Sequence, residues 1–348
     1  MAAAHTTEQS LADPHVVTPA PGERAPSNCG AERGVQSASR TDNNDRRREM
    51  GMAKAFMPRI AWPSFLLAGS LLSIQTAVII AALYSLVPYW LCVPVLGYCA
   101  FAWYTLIHDA IHGSIIRERK FSWVHDLIGR VGSSFLFYSW PVLRRTHQHH
   151  HSHTNSEKDP DHALVGGGIG KLLSTAGSGL LMYVVPYFLL RRFEKTVYDS
   201  DTLLTRRELR EHLVTMHCLQ LGSWALILAG KGLAVLCLFW LPAFIGAVML
   251  MIFFQWLPHL PFDSTDRYEN TRVMEFPLAD YVLLNQNIHL VHHLWPSVPF
   301  YLYRKLFTAQ RAYLESKGAR IEGLRPSRAR QAPAAAQSII AENPSGHL

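Results

Sequence analysis

Charged side chains are scarce in this sequence. Asp, Glu, Lys and Arg make up 17% of its 348 residues, against roughly 25% in soluble domains. None of the four occurs between Ile60 and His108, a run far longer than the roughly 20 apolar residues that cross a bilayer. A second apolar run covers residues 213–257 and is interrupted at Gly230-Lys231-Gly232. Each run is long enough for two helices. A soluble protein can bury one such apolar helix, but a set of four favours a membrane protein.

Cysteine is scarce as well, and no two cysteines have CxxC spacing. This gives no support to a zinc ribbon, an iron–sulfur site, a c-type haem or a disulfide framework. The metalloprotease motif HExxH is also missing, since Asp109 and not a glutamate follows His108, which argues against hydrolysis at a zinc ion. We interpret the cysteines inside the apolar runs as packing residues. They are Cys92, Cys99, Cys218 and Cys237, and the fifth is Cys29.

Lysine and arginine are concentrated outside the apolar runs, although the formal net charge is +7. The joints within each apolar pair hold almost no positive charge. Lys and Arg are enriched in cytoplasmic loops. We therefore expect both termini and the middle region between the two apolar pairs, residues 113–212, to be cytoplasmic. The three histidine clusters described below should lie on the same side. In a bacterium this would be the inner membrane. The same placement argues against nucleic-acid binding.

These patterns predict an all-α integral membrane protein with about four transmembrane helices in two hairpins. The expected spans are residues 63–86, 89–111, 213–230 and 233–257. Two apolar stretches broken by Gly and Pro, 124–142 and 168–190, are expected to form interfacial or partly re-entrant helices. We expect a membrane domain over residues 56–322, flanked by disordered tails at 1–55 and 323–348.

Histidine is abundant, with 18 residues, and eight of them form three clusters. These are His108 and His112; His147, His150 and His151; and His289, His292 and His293. On a helix, residues four apart share a face, so the first two imidazoles can meet one centre. In each HxxHH cluster we expect the first two histidines to share a face and the third to reach a second metal.

The number of histidines indicates more than one metal ion. One zinc ion needs three or four ligands, whereas the clusters offer eight nitrogen donors, which suit Fe, Cu, Zn or Ni. His149 and His153 are expected to be either hydrogen-bond partners of the site or surface residues. Asp109 and Asp161 could orient ligand histidines through the second ring nitrogen. Helix capping and a solvated loop are the alternatives for these two carboxylates.

The three clusters resemble the histidine boxes of the membrane-bound fatty acid desaturase and hydroxylase superfamily. The stretch His150-His151-Ser152-His153-Thr154-Asn155 is similar to the HHxxTN sequence of the second box. Residues 287–296 are similar to the third box, and the likeness covers residues 60–310. The resemblance implies a non-haem centre of two Fe²⁺ ions held by the eight cluster histidines. It further implies a ninth ligand before the third box, for which His259 is favoured over Asn287.

The resemblance also implies the reaction. O2 is the co-substrate, a separate ferredoxin, cytochrome or reductase supplies electrons, and an unactivated C–H bond of an apolar membrane substrate is oxidised. Fatty acyl desaturation is the favoured interpretation. Residues 256–263 and 292–301 are similar to bacterial carotenoid-hydroxylase-like proteins, so carotenoid ring hydroxylation is an alternative, as is oxidation of another apolar or small molecule. A membrane metal transporter is a remote alternative, because transporters place ionisable ligands within their spans.

Overall fold

The computed structural model describes residues 46–161, 168–191 and 200–326. Contacts divide the chain into two units, Met1–Glu49 and Met50–Leu348. In the first unit residues 46–49 are described, and they are helical. In the second unit residues 50–54 are helical too, so helix is present inside the segment predicted as a tail. The remaining parts of the two predicted tails, 1–45 and 327–348, lie outside the described residues.

The first hairpin consists of helix α1, Trp62–Leu83, and helix α2, Tyr89–Ile111. Pro63 lies in the first turn of α1, and Pro88 precedes α2 in an extended conformation, so each helix starts where proline favours a start. The two helices differ in burial: 22% of the most apolar 18-residue stretch of α1 is buried, against 61% of the corresponding stretch of α2. Helix α2 is therefore the central helix of the bundle, and α1 presents most of its side chains to the surroundings.

The second histidine cluster lies on a helix that packs against α2. After a 3-10 turn at Arg119–Phe121, helix α3 spans Ser122–Phe135 and helix α4 spans Trp140–His153. The sequence predicts one interfacial segment here, but Phe137 adopts a left-handed φ of 56° and separates two helices. Gly129 is required at its position, because a Cβ there would lie 2.2 Å from the Trp140 ring.

The next segment consists of short helices. Helix α5 spans Ile169–Gly179, and helical turns follow at Leu181–Val184, at residues 187–191 and at Ser200–Leu203. Leu172 of α5 is buried, while Ile169 and Leu173 are exposed. A helix that is apolar on its inner and its outer side suits a position between the protein and lipid, as the sequence predicts.

The second apolar region is helical except at Gly230. Helix α6 spans Arg206–Leu226 and helix α7 covers residues 232–256, with a π-helical turn at Ile227–Lys231 between them and a 3-10 turn at Leu257–His259 after them. Helix α6 starts earlier than the span predicted at 213, because Thr205 and Glu208 form a capping box. By length and composition, three segments of the described chain can cross a membrane, namely Trp62–Leu83, Tyr89–Ile111 and Arg206–His259.

The third of these segments is two helices and not one. Gly230 has φ 77° and ψ 14°, which breaks the helical conformation at the predicted joint. Leu219 of α6 and Phe244 of α7 pack against the same cluster around Tyr183. In a straight helix these two residues would lie about 38 Å apart. The chain therefore reverses at Gly230.

The last part of the chain carries the third histidine cluster. Strand β1, Arg272–Met274, pairs in parallel with strand β2, Arg320–Glu322. Between them lie helix α8, Ala279–Val282, helix α9, His289–Leu294, a 3-10 turn at Phe300–Leu302 and helix α10, Tyr303–Ser316. Helices α9 and α10 share a core that includes Trp295, Leu306 and Phe307.

A charged clamp holds α4 against α6. The carboxylate of Glu208, with 10% of its side chain exposed, accepts hydrogen bonds from Arg144 at 2.5 Å and from Arg145 at 3.0 Å. Because one turn of α4 separates these arginines from His147, the clamp sets the position of the second histidine cluster.

We expect Glu208→Gln to destabilise the protein by about 2 kcal/mol, since it leaves two partly buried guanidinium groups without their shared carboxylate. The matched control is Glu211→Gln, because Glu211 pairs with Arg130, whose side chain is 45% exposed. Its cost should stay below about 1 kcal/mol. Melting of both variants in the same detergent measures the difference, and equal melting temperatures would argue against the clamp.

Candidate metal centre

The structure brings nine histidines together in two groups. Group A contains His108, His112, His147, His151 and His292. Group B contains His150, His259, His289 and His293. Within each group one ring nitrogen per histidine lies within 4.8 Å of the others. These nine are the eight cluster histidines and His259, which the sequence proposes as ligands.

The division within each HxxHH cluster differs from the expected one. The expectation pairs the first histidine with the second, three residues on. In the structure the first pairs with the third, four residues on: His147 with His151 in group A, and His289 with His293 in group B. The middle histidines, His150 and His292, belong to the opposite group. The reason is helix geometry, since residues four apart are separated by about 40° around the axis and residues three apart by about 60°.

Each group is assembled from separate elements. In group A the Nε2 atoms of His108 and His292 are 2.8 Å apart, and those of His112 and His147 are 3.0 Å apart. In group B the Nε2 atoms of His259 and His289 are 3.2 Å apart, and those of His289 and His293 are 3.1 Å apart. Adjacent ligands of one ion at a metal–nitrogen distance of about 2.1 Å lie roughly 3.0–3.4 Å apart. Three of these four distances lie in that range and the fourth, 2.8 Å, is slightly shorter, so the donor spacing is close to that of a metal site in each group.

Most of these imidazoles are held in the neutral form that binds metals. Burial, followed by the charge of nearby His150, lowers the pKa of His112 and of His289 to about 3. Burial and neighbouring histidines lower the pKa of His147, His292 and His293 well below its ordinary value. Neutral imidazoles are ready to coordinate without first losing a proton.

His150 is the exception because two carboxylates face it. Burial opposes its charged form, but the hydrogen bond with Asp159 and the charges of Asp161 and Asp159 together raise the pKa of His150. Its Nδ1 lies 2.8 Å from Asp159 and 3.6 Å from Asp161. Burial in turn raises the pKa of Asp161 to about 6. Asp159 is therefore the principal orienting carboxylate, with Asp161 behind it.

Two further partners hold the second nitrogens of candidate ligands. Asn155 lies 3.2 Å from Nδ1 of His259, and the hydroxyl of Tyr303 lies 3.1 Å from Nδ1 of His292. Such contacts fix the orientation and tautomer of a ligand histidine. Neither role is expected from the sequence alone. Asn155 does lie in the stretch that resembles the second box, whereas nothing in the local pattern marks Tyr303.

Several other candidates lie outside the two groups. His149 and His153 stack on each other with ring centroids 4.1 Å apart. Asn287 donates to the Met274 carbonyl and to Asp280, so it holds the turn before α9. The Asp109 carboxylate accepts from Ser64 Oγ and from the Phe300 backbone N–H, which ties the end of α2 to the segment after the third cluster. In the described structure its carboxylate does not orient a histidine.

An apolar cavity of about 330 Å³ reaches both groups. His147 of group A and His150 and His289 of group B line it. Tyr104, Leu143, Met251 and Phe254 contribute apolar surface, and Thr175, Ala176 and Gly179 of α5 form its edge. The cavity therefore connects the candidate metal centre with the helix expected at the lipid interface.

Comparison with known proteins agrees with this geometry. The sequence profile of the family described as "Fatty acid desaturase" matches residues 84–324, about two thirds of the chain. The chain belongs to the fatty acid desaturase family. Membership makes it an O2-dependent oxidoreductase and, together with the three helical segments able to cross a membrane, an integral membrane protein.

Curated members of the desaturase family fall into two kinds by name. The chain is 29% identical to a "Beta-carotene ketolase" of Paracoccus sp. (strain PC1) over 218 residues, which is 61% of this chain and 76% of the relative. It is 24% identical to an "sn-1 oleoyl-lipid 12-desaturase" of Picosynechococcus sp. over 265 residues, 69% of this chain and 74% of the relative. The expected likeness to both acyl-lipid desaturases and carotenoid enzymes is confirmed.

We expect Tyr303→Phe to reduce the activity of this oxidoreductase about 10-fold, because removing the hydrogen-bond partner of a ligand histidine typically costs 10–100-fold in metal affinity or activity. The phenylalanine keeps the buried ring of Tyr303 and deletes the hydroxyl that holds His292. Tyr301→Phe is the matched control, since Tyr301 is half-buried two residues away. Metal titration of both variants separates weakened binding from a folding defect, and identical affinities would exclude a positioning role for Tyr303.

Proposed function

We propose that this chain is a di-iron oxygenase that oxidises an unactivated C–H bond of an apolar lipid in the membrane. The main support for this proposal is the contact between the apolar cavity and both histidine groups. A substrate segment in the cavity lies beside His147 of group A and His150 and His289 of group B. A hydrolase or a transporter has no need of an apolar cavity against two nitrogen-rich centres.

The donor set supports iron. All nine proposed ligands are neutral nitrogen donors or, for His150, an imidazole backed by Asp159. The described part of the chain contributes no cysteine to either group, which disfavours sites selective for soft metals. Two bound iron ions would supply O2 activation with electrons from outside the chain. The orientation of the ligands rests on Asp159, Asn155 and Tyr303.

The residues of the cavity perform the binding part of the reaction. Leu143, Met251 and Phe254 exclude water and bind an apolar segment of the substrate. Gln255 donates to Asp161 at 3.0 Å, which holds both polar side chains in place at the cavity wall. The wall then determines which carbon lies next to the histidine groups. Positioning of this carbon decides between a double bond and an oxygenated product.

Fatty acyl desaturation is our first assignment, supported by the family and by the likeness to an acyl-lipid 12-desaturase. Carotenoid ring oxidation is the second. It is supported by the 29% identity to a protein named as a beta-carotene ketolase and by 26% identity to a "Zeaxanthin 4-ketolase" of Chlamydomonas reinhardtii, of which the match covers 38%. Both assignments need the same apolar cavity and the same metal centre.

We further propose four membrane crossings, with both termini and all nine histidines on the cytoplasmic side. The reversal at Gly230 supports two crossings in the segment Arg206–His259. At about 1.5 Å per residue, this segment is more than twice as long as a bilayer core of about 30 Å. An even number of crossings between the second and third clusters allows them to meet on one side.

The electron donor is proposed to bind at a polar groove of about 560 Å³ lined by His112, Gln148, Arg144 and Arg145. Helix α4 separates this groove from the apolar cavity, because residues 143, 147 and 150 face the cavity and residues 144 and 148 face the groove. The charges of Arg144 and Arg145 are largely offset by Glu208 and Asp126. Attraction of an acidic donor would therefore rest on Arg119, since Lys120 is paired with Glu118.

Expression in a host that makes carotenes, with a compatible ferredoxin and reductase, tests the function. New double bonds in acyl lipids support the first assignment, and oxygenated carotenoid rings support the second. The His150→Ala variant is the inactive control, and the purified chain should hold two irons. A single zinc ion without O2 consumption would exclude the oxygenase and favour the transporter.

A further inference from the structure

A small apolar patch is exposed immediately before the third histidine cluster. Leu278, Tyr281 and Val282 are 69%, 79% and 46% exposed, and Pro277 beside them is also exposed. We call residues 277–282 the 277–282 patch. The patch includes helix α8. Exposed apolar patches of this kind mark interaction sites.

The patch lies against the apolar part of α2. The hydroxyl of Tyr98 donates a hydrogen bond of 3.2 Å to the Val282 carbonyl. Leu283, the next residue, is 1% exposed and packs with Phe101 of α2 and Phe254 of α7. Tyr98 precedes His108 by ten residues, which is about 15 Å along the axis of α2. The patch therefore lies beside the apolar part of α2, on the membrane side of the histidines.

The patch is held firmly in this position. The Asp280 carboxylate accepts two hydrogen bonds of 2.6 Å from Arg304 and one of 2.9 Å from Asn287. Leu278, Leu284 and Asn285 have left-handed φ values of 63°, 51° and 62°. Such a conformation is unfavourable for a residue with a side chain and persists only where the surroundings enforce it. The surrounding contacts thus hold these apolar side chains outward against a conformational cost.

The polar groups around the patch match a boundary between lipid and water. Asp280 and Arg304 are paired on one side, each about one third exposed. The backbone N–H groups of Tyr281 and Val282 donate to the Leu278 carbonyl, and Tyr98 occupies the Val282 carbonyl. These N–H and carbonyl groups are therefore paired within the protein, as contact with lipid requires. An exposed tyrosine is typical of the membrane interface.

We propose that the 277–282 patch is a lipid-binding element that dips into the membrane surface beside α2. Its partner is the acyl region of the bilayer itself. The patch lies seven residues before His289, so it also fixes the level of helix α9 relative to the membrane. This inference concerns membrane contact and does not depend on the substrate or the metal.

Spin labels on the full-length chain in lipid nanodiscs test the proposal. The background carries Cys29→Ser and Cys218→Ser, since Cys218 is exposed and Cys92, Cys99 and Cys237 are buried. Labels at Tyr281→Cys and, independently, at Leu278→Cys are compared with two references. The Leu66→Cys label reports lipid, because Leu66 of α1 is 72% exposed. The Thr308→Cys label reports water, because Thr308 is exposed on α10, one turn from Arg304.

The patch labels are expected to behave as the Leu66 label does: relaxed efficiently by oxygen and poorly by a water-soluble nickel complex. Accessibility to nickel equal to that of the Thr308 label would overturn the proposal. Dipolar broadening between labelled chains in one nanodisc would also overturn it, because a second copy would then cover the patch. Two labelling positions guard against a single variant that fails to fold.

Discussion

Replacing His292 by alanine is expected to abolish turnover, and replacing His293 is expected to do the same by emptying a different metal site. The two residues are adjacent in the sequence but belong to group A and group B. Removing a residue behind a ligand costs 10–100-fold, so loss of a ligand should cost at least about 100-fold. Each variant should keep roughly half of the bound iron.

His149→Ala is the matched control for this pair, because His149 is half-buried in the second cluster but outside both groups. It should keep full iron and near-normal turnover. Metal analysis and O2 consumption of the three purified variants provide the measurement. Retained turnover in His292→Ala or His293→Ala would refute the ligand role of that residue. Loss of all iron in either variant would refute two separable sites.

The second large effect is expected from Gly246→Leu. Helix α7 passes so close to α2 that a Cβ at Gly246 would lie 2.8 Å from the Ala100 Cβ and 3.0 Å from the Phe101 backbone nitrogen. Small residues at such crossings allow membrane helices to approach. A leucine must push the helices apart, and misplacement of reacting groups by about 1 Å can cost roughly 100-fold in rate. We expect activity to fall by about this factor.

The control for this substitution is Gly69→Leu. Gly69 lies on α1, and a Cβ there meets nothing within 4 Å. Both variants add the same apolar volume to a glycine of a helix that can cross the membrane. Overpacking at Gly246 should also destabilise the protein by about 1–3 kcal/mol, visible as a lower melting temperature in detergent. Equal activity and stability of the two variants would contradict close packing of α2 and α7.

The helices of the membrane region were predictable because hydropathy is a local property. The absence of charge from Ile60 to His108 gives α1 and α2, and the glycine pair around Lys231 marks the reversal that the structure has at Gly230. The predicted span begins at residue 213, whereas helix α6 begins at Arg206, since the capping box at Thr205 and Glu208 extends the helix through charged residues. Hydropathy does not detect such a polar first turn.

The sequence by itself determined which residues can bind metal, because histidines three and four residues apart on a helix place several nitrogen donors on one side of it. Helix geometry pairs the first histidine of each HxxHH cluster with the third, but only the tertiary structure decided which clusters share a group. A shift of one residue in the facing helix changes which ring nitrogens converge, and the chain carries no local record of that register. The same holds for Tyr303, for Asp159 in preference to Asp161, and for the cavity, since each depends on contacts between segments distant in sequence. Local chemistry is encoded in neighbouring residues, whereas the pairing of sites is set by the packing of α2, α4, α7 and α9.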